Sequence, residues 1–140
     1  NIARNGDTLL SRPGTYMGTG NNNVIIEDKY INIRGVDSAS SPIIDGGGVY
    51  PIFEIQVFNS SDILEFSNLM FQNSPKAIYI LSADDSPISL KNCIFENNIN
   101  GIHLLSKPLR IIRLHSYFNL AKFTFFLRIE SLISSYRYLQ

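Results

Sequence analysis

Apolar and polar residues alternate with period two in short runs along most of the chain, as in Ile31-Asn32-Ile33-Arg34-Gly35 and Phe53-Glu54-Ile55-Gln56-Val57. Such alternation predicts half-buried strands. The runs also repeat. Leu64 to Asn73 returns 24 positions later as Ile88 to Asn97, and Ala77-Ile78-Tyr79-Ile80-Leu81 returns as Gly101-Ile102-His103-Leu104-Leu105. Adding the same step to Ile31/Ile33 gives Ile55/Val57, and Ile78/Ile80 and Ile102/Leu104 extend the column. A second column runs through Leu64/Phe66, Ile88/Leu90 and Ile112/Leu114. Repeats of this length bury their apolar face against one another. The expected fold is all-β, a parallel β-helix (solenoid) of about four coils over residues 1–114, with coils about 4.8 Å apart.

The turn residues agree with stacking. Asn68 is expected over Asn92, Asn73 over Asn97 and Phe71 over Phe95. Asparagine tolerates the left-handed backbone region, and aligned amides bond along a stack. Two similar hairpins in a sandwich would explain the alternation. They would not explain why Asn, Phe and Asn recur at one offset. Pro13-Gly14, Asn21 to Asn23 and Asp45 to Gly48 read as turns.

Composition splits the chain. Residues 1–105 carry 6 Lys/Arg against 11 Asp/Glu, and residues 106–140 carry 6 against 1; all nine glycines lie at or before Gly101. From Ile111 a helical spacing appears through Leu114, Phe118, Ala121, Phe125, Ile129, Leu132 and Tyr136. Residues 115–140 are therefore expected to be a helical or irregular segment. It is read in three ways: a cap on the solenoid end, a basic helix lying on an anionic membrane, or a tail foreign to the fold. Lys122, Arg128 and Arg137 interrupt it, so no span of a bilayer is expected. The single cysteine, Cys93, excludes an internal disulfide and is expected to be a buried hydrophobe. Asn59-Ser60-Ser61 is a glycosylation sequon.

Several motifs taken together resemble a known family. Gly6-Asp7-Thr8, Pro13 to Tyr16, Ile31-x-Ile33-x-Gly35 and Ile43-Ile44-Asp45-Gly46 resemble the opening coils of the pectin-lyase-like superfamily, which implies a right-handed parallel β-helix. Phe95-Glu96-Asn97-Asn98 matches the F-x-x-N repeat of its non-enzymatic surface members, of the polymorphic outer-membrane-protein type, whereas Phe71 to Ser74 departs from it. The resemblance implies a secreted or cell-surface module for adhesion or carbohydrate binding, with a polysaccharide or surface glycan as partner. Two alternatives stand beside it: a piece of a polysaccharide lyase or hydrolase, and a structural spacer. Four coils suggest part of a longer solenoid.

Catalysis in this fold needs carboxylates on an outer groove. The weak candidates are Asp84, Asp85, His103 and Arg110, of which Asp84-Asp85 resembles the Asp pair of galacturonan hydrolases. Their companion motifs are missing, so Asp84-Asp85 is read as a solvated loop and His103 as an outward surface histidine. Asp45 alone falls far short of the 6–8 oxygens that calcium wants. Phosphate-loop, dinucleotide and zinc motifs are absent. No cofactor, metal or nucleic-acid partner is expected.

Overall fold

The computed structural model describes residues 3–58, 62–84, 87–105 and 110–120. The fold is a parallel β-solenoid of about three turns with three strand stacks. The first stack contains β1 (Thr8–Ser11), β4 (Asn32–Gly35), β7 (Leu64–Ser67) and the opening half of β10 (Pro87–Asn98). The second contains β2 (Thr15–Tyr16), β5 (Ile43–Asp45), β8 (Met70–Gln72) and the closing half of β10. The third contains β3 (Val24–Glu27), β6 (Phe53–Phe58), β9 (Lys76–Asp84) and β11 (Asn100–Leu104). Strand β12 (Arg110–Leu120) lies along β10. Every pairing is parallel, because each strand meets the strand one circuit earlier.

The register places Leu90 over Phe66 and Phe95 over Phe71, as the 24-residue step predicts. The rings of Phe71 and Phe95 stack with centroids 5.0 Å apart and 27° between planes. Phe53 and Phe66 close around Phe71 at 6.1 and 6.0 Å, so four aromatic rings fill the lumen. Cys93 is wholly buried, its thiol 3.5 Å from the Phe66 carbonyl.

One expected column is corrected at two of its steps. Ile33 lies over Leu9 and under Phe66, not under Val57. The station below Ile55 is Ile26, and Ile55 pairs with Ile80 while Phe53 pairs with Ile78. The cause is the second circuit, where the loops 36–42 and 46–52 lengthen the corners. Gly35 and Asn68 thus stack 33 residues apart, whereas Asn68 and Asn92 stack at 24. A fixed step counted through those loops lands on the wrong stack. The helical spacing from Ile111 is not realised in residues 111–120 either, since β12 is a strand that crosses position 114 and continues to Leu120. Alignment with β10 supplies hydrogen-bond partners that a lone amphipathic segment lacks, which overrides its local periodicity. Residues 121–140 lie outside the described residues.

Single left-handed residues make the corners. Asn68 and Asn92 (φ 55° and 50°) turn the chain from the first stack to the second, and Asn73 and Asn97 (both φ 52°) turn it from the second to the third. Glycine visits this region routinely, and among other residues chiefly asparagine and aspartate do. At the first corner the expected ladder forms: Asn92 Nδ2 donates to Asn68 Oδ1 at 3.3 Å, and Asn68 Nδ2 donates to the Gly35 carbonyl at 3.4 Å. At the second corner it does not. Asn73 donates instead to Asp45 Oδ2 at 2.8 Å. The cross-coil amide there belongs to the next residue, Asn98, which is fully buried. Its Oδ1 accepts from Ser74 N–H at 3.0 Å and its Nδ2 donates to the Phe71 carbonyl at 2.8 Å. The last residue of F-x-x-N is therefore a staple between coils, satisfying two backbone groups that would otherwise be buried unpaired.

Asp45 is a second staple. It is buried, and its carboxylate accepts from Gly47 N–H at 2.8 Å, Gln72 Nε2 at 2.7 Å and Asn73 Nδ2 at 2.8 Å. The Asp45–Gly48 segment is thus a turn whose carboxylate is already occupied by protein donors. Burial on its own raises the pKa of Asp45, but the bonds from Gln72, Gly47 and Asn73 outweigh it and hold the carboxyl below its ordinary value. A carboxyl with a lowered pKa in the folded state stabilises the fold above its unfolded pKa of about 3.9. That contribution fades as pH falls through this value towards the lower folded one. Thermal midpoints measured from pH 7 to pH 3 should therefore drop more steeply for the parent chain than for Asp45→Asn, which starts lower at pH 7. Parallel curves would show that Asp45 is not linked to folding.

Candidate functional site

The third stack has one side in the lumen and the other in solvent. Along β6, β9 and β11 the inward positions are Phe53, Ile55, Ile78, Ile80 and Ile102, all buried. The intervening positions point outward. The register aligns four of them, with Ile25 beside Glu54, Glu54 beside Tyr79 and Tyr79 beside His103. Parallel strands are about 4.8 Å apart, so this column presents an alkyl group, a carboxylate, a phenol and an imidazole on successive coils.

The upper part of the column is preassembled. His103 meets Tyr79 edge to face with centroids 5.3 Å apart and 63° between planes. The Lys76 ammonium sits 3.7 Å from the centre of the Tyr79 ring, a cation–π contact that fixes both groups. Glu54 accepts from Gln56 Nε2 at 3.5 Å. Asn100 lies one coil above Lys76 and donates its amide to the Pro75 carbonyl at 3.2 Å. Desolvation by its neighbours, and then the nearby Lys76 charge, lower the pKa of His103. Its imidazole is consequently neutral at neutral pH, with one nitrogen to donate and one to accept.

The patch thus offers an amphipathic aromatic ring, a cation, a neutral imidazole, a carboxylate and the Gln56 amide on one sheet surface. It is equipped to hold a polyhydroxylated ligand by hydrogen bonds and ring contacts. Asp84 is not brought beside His103. Asp84 ends β9 opposite Phe58, five residues beyond Tyr79, the residue that His103 faces. At about 3.3 Å per residue, the backbones at Asp84 and His103 stand roughly 16 Å apart. Arg110 opens β12 opposite Pro87, in the other sheet. Asp85 and the Asn59–Ser61 sequon lie outside the described residues.

Of the catalytic candidates among the described residues, Asp84, His103 and Arg110, only His103 belongs to the patch. Lys76, Tyr79, Glu54 and Gln56 went unremarked. The signal for Tyr79 was present, since Ile78 and Ile80 flank it as Ile102 and Leu104 flank His103 one repeat later. No known family, no curated protein and no solved structure matches the chain.

Proposed function

We propose that this chain is a non-catalytic glycan-binding module, secreted or displayed on a cell surface, on a parallel β-helix of the pectin-lyase-like kind. The observation that carries this reading is the outward Lys76–Tyr79–His103 cluster, with Glu54 and Gln56 on the coil below. Sugars present apolar C–H faces beside hydroxyl edges. An amphipathic ring set among short-range donors and acceptors complements both. The rigid sheet holds these groups in place before binding, which limits the entropy lost on association. The separation of Asp84 from His103 favours binding over bond cleavage.

A glycan array followed by calorimetry on the best hit tests this. Tyr79→Ala is expected to weaken that interaction by about tenfold or more, the loss typical of an aromatic anchor. Thermal stability should change little, because Tyr79 lies on the outer surface. An array without signal would leave the structural-spacer reading in its place. Turnover of a polysaccharide that is abolished by Asp84→Ala or Asp85→Ala would establish the enzymatic one.

A further inference from the structure

The third stack carries a second column of exposed side chains, four residues upstream of Glu54, Tyr79 and His103. Phe53 pairs with Ile78, and Asn100 with Lys76. Counted back along these ladders, Tyr50, Pro75 and Ile99 take one position on successive coils. The backbone agrees, since Ile52 N–H donates to the Lys76 carbonyl at 3.3 Å and Ile99 N–H to the Ser74 carbonyl at 2.9 Å. Tyr50 is 53% exposed and Ile99 55%, so the column is an apolar strip in solvent with one aromatic ring. Its mount is firm. Gly48 N–H donates to the Asn73 carbonyl at 2.6 Å, and Ser74 Oγ donates to the Tyr50 carbonyl at 2.8 Å. Pro51 then confines Tyr50 to extended backbone.

We infer, on the strength of the glycan-binding reading, that the ligand is a linear oligosaccharide longer than a disaccharide, which lies along the strands with one end on Tyr79 and the other on Tyr50. Four residues of strand span about 13 Å, more than one pyranose ring can bridge. The direction follows from where the apolar surface lies. A chain laid along the solenoid axis from Tyr79 would meet His103 on one side and Glu54 on the other, and would leave Tyr50 uncovered. Laid along the strands, it covers an aromatic face at each end with its C–H faces. Lys76 starts beside the Tyr50 column and places its ammonium against Tyr79. Its N–H donors are therefore set to meet the hydroxyls of the rings in between.

Linear glucan, mannan, xylan, galactan and chitin oligomers, each arrayed as a size ladder from monosaccharide to hexasaccharide, test the inference, with calorimetry on the ladder that binds. Affinity is expected to rise at least about tenfold between the disaccharide and the tetrasaccharide, the contribution of a second aromatic anchor. Tyr50→Ala should remove that gain, so that the tetrasaccharide binds no better than the disaccharide, and Tyr50→Phe should restore it. Tyr79→Ala should weaken every length. A native circular dichroism spectrum confirms that each variant folds. Two results would overturn the inference while the patch still binds sugar: equal affinity for disaccharide and tetrasaccharide, or a gain with length that Tyr50→Ala leaves intact. Absence of binding at every length in every ladder would overturn the glycan-binding reading itself, and this inference with it.

Discussion

Replacing Phe71 with alanine is expected to lower the stability of the solenoid by about 4 kcal/mol, in the range measured for large aromatic deletions from cores. Phe71 has no exposed surface. Its ring stacks on Phe95 above and meets Phe53 and Phe66 at the sides, while its backbone lies over Ile44. These neighbours sit on strands of three successive coils, each fixed by its own parallel ladder. They cannot move inward together, so the deleted ring leaves a hollow. Domains are stable by only about 5–15 kcal/mol, and a loss of this size removes a large share. Phe71→Leu, which keeps much of the volume, should cost less than half as much. Urea denaturation read by circular dichroism measures both. An unchanged midpoint for the alanine variant would show that Phe71 is not a lumen residue.

Gly35→Ala is expected to cost about 3 kcal/mol, at the upper end for overpacking. A methyl group there would stand 2.1 Å from the Asn68 carbonyl oxygen and 2.7 Å from Pro42 Cδ. Neither obstacle is a flexible side-chain end. One is the backbone of the next coil and the other a closed ring, so relief requires the corner itself to move. That corner holds the bonds linking Gly35, Asn68 and Asn92. Gly47→Ala provides the contrast. Gly47 has φ 64° and open space around it, so only the left-handed backbone is strained, at about 1 kcal/mol. The two variants, compared by urea midpoint, separate a steric clash from a dihedral preference. Equal losses would mean that coil spacing at Gly35 is looser than the structure has it.

The part of the solenoid from Leu64 onward was legible from the sequence because the 24-residue step holds there. One offset aligns Leu64 with Ile88, Phe71 with Phe95 and Ile78 with Ile102. The earlier circuits were obscured by physics that leaves little local trace. Loops run over the surface and tolerate extra length, so the residues added around Pro42 and Gly46 to Pro51 altered the count without altering the strands. A separate slip hid the patch, because β6 meets β9 at a step of 25 residues, from Ile55 to Ile80. With Ile55 assigned under Ile78 in place of Ile80, Glu54 could not be seen beside Tyr79. His103 therefore read as isolated when it has two close partners on the strand below. Asp45 was legible as a turn residue, since its bond to Gly47 is local. Its bonds to Gln72 and Asn73 depend on which coil lies above, and local pattern does not encode that. Asn98 differs again: the motif drew attention to it, but whether it or Asn97 turns inward depends on where the left-handed residue falls.

The unequal spacing at the first corner has a wider consequence. Closing a 33-residue circuit in place of a 24-residue one costs only about 0.3 kcal/mol in chain entropy, because that entropy grows with the logarithm of length. The lumen, by contrast, tolerates almost no change of volume. Diversification in such a molecule is therefore channelled outward: its bends can acquire, lose or exchange decoration almost freely, while the interior holds a constant bore. New specificities would arise at the vertices and on the outer walls, with the packed axis inherited unchanged.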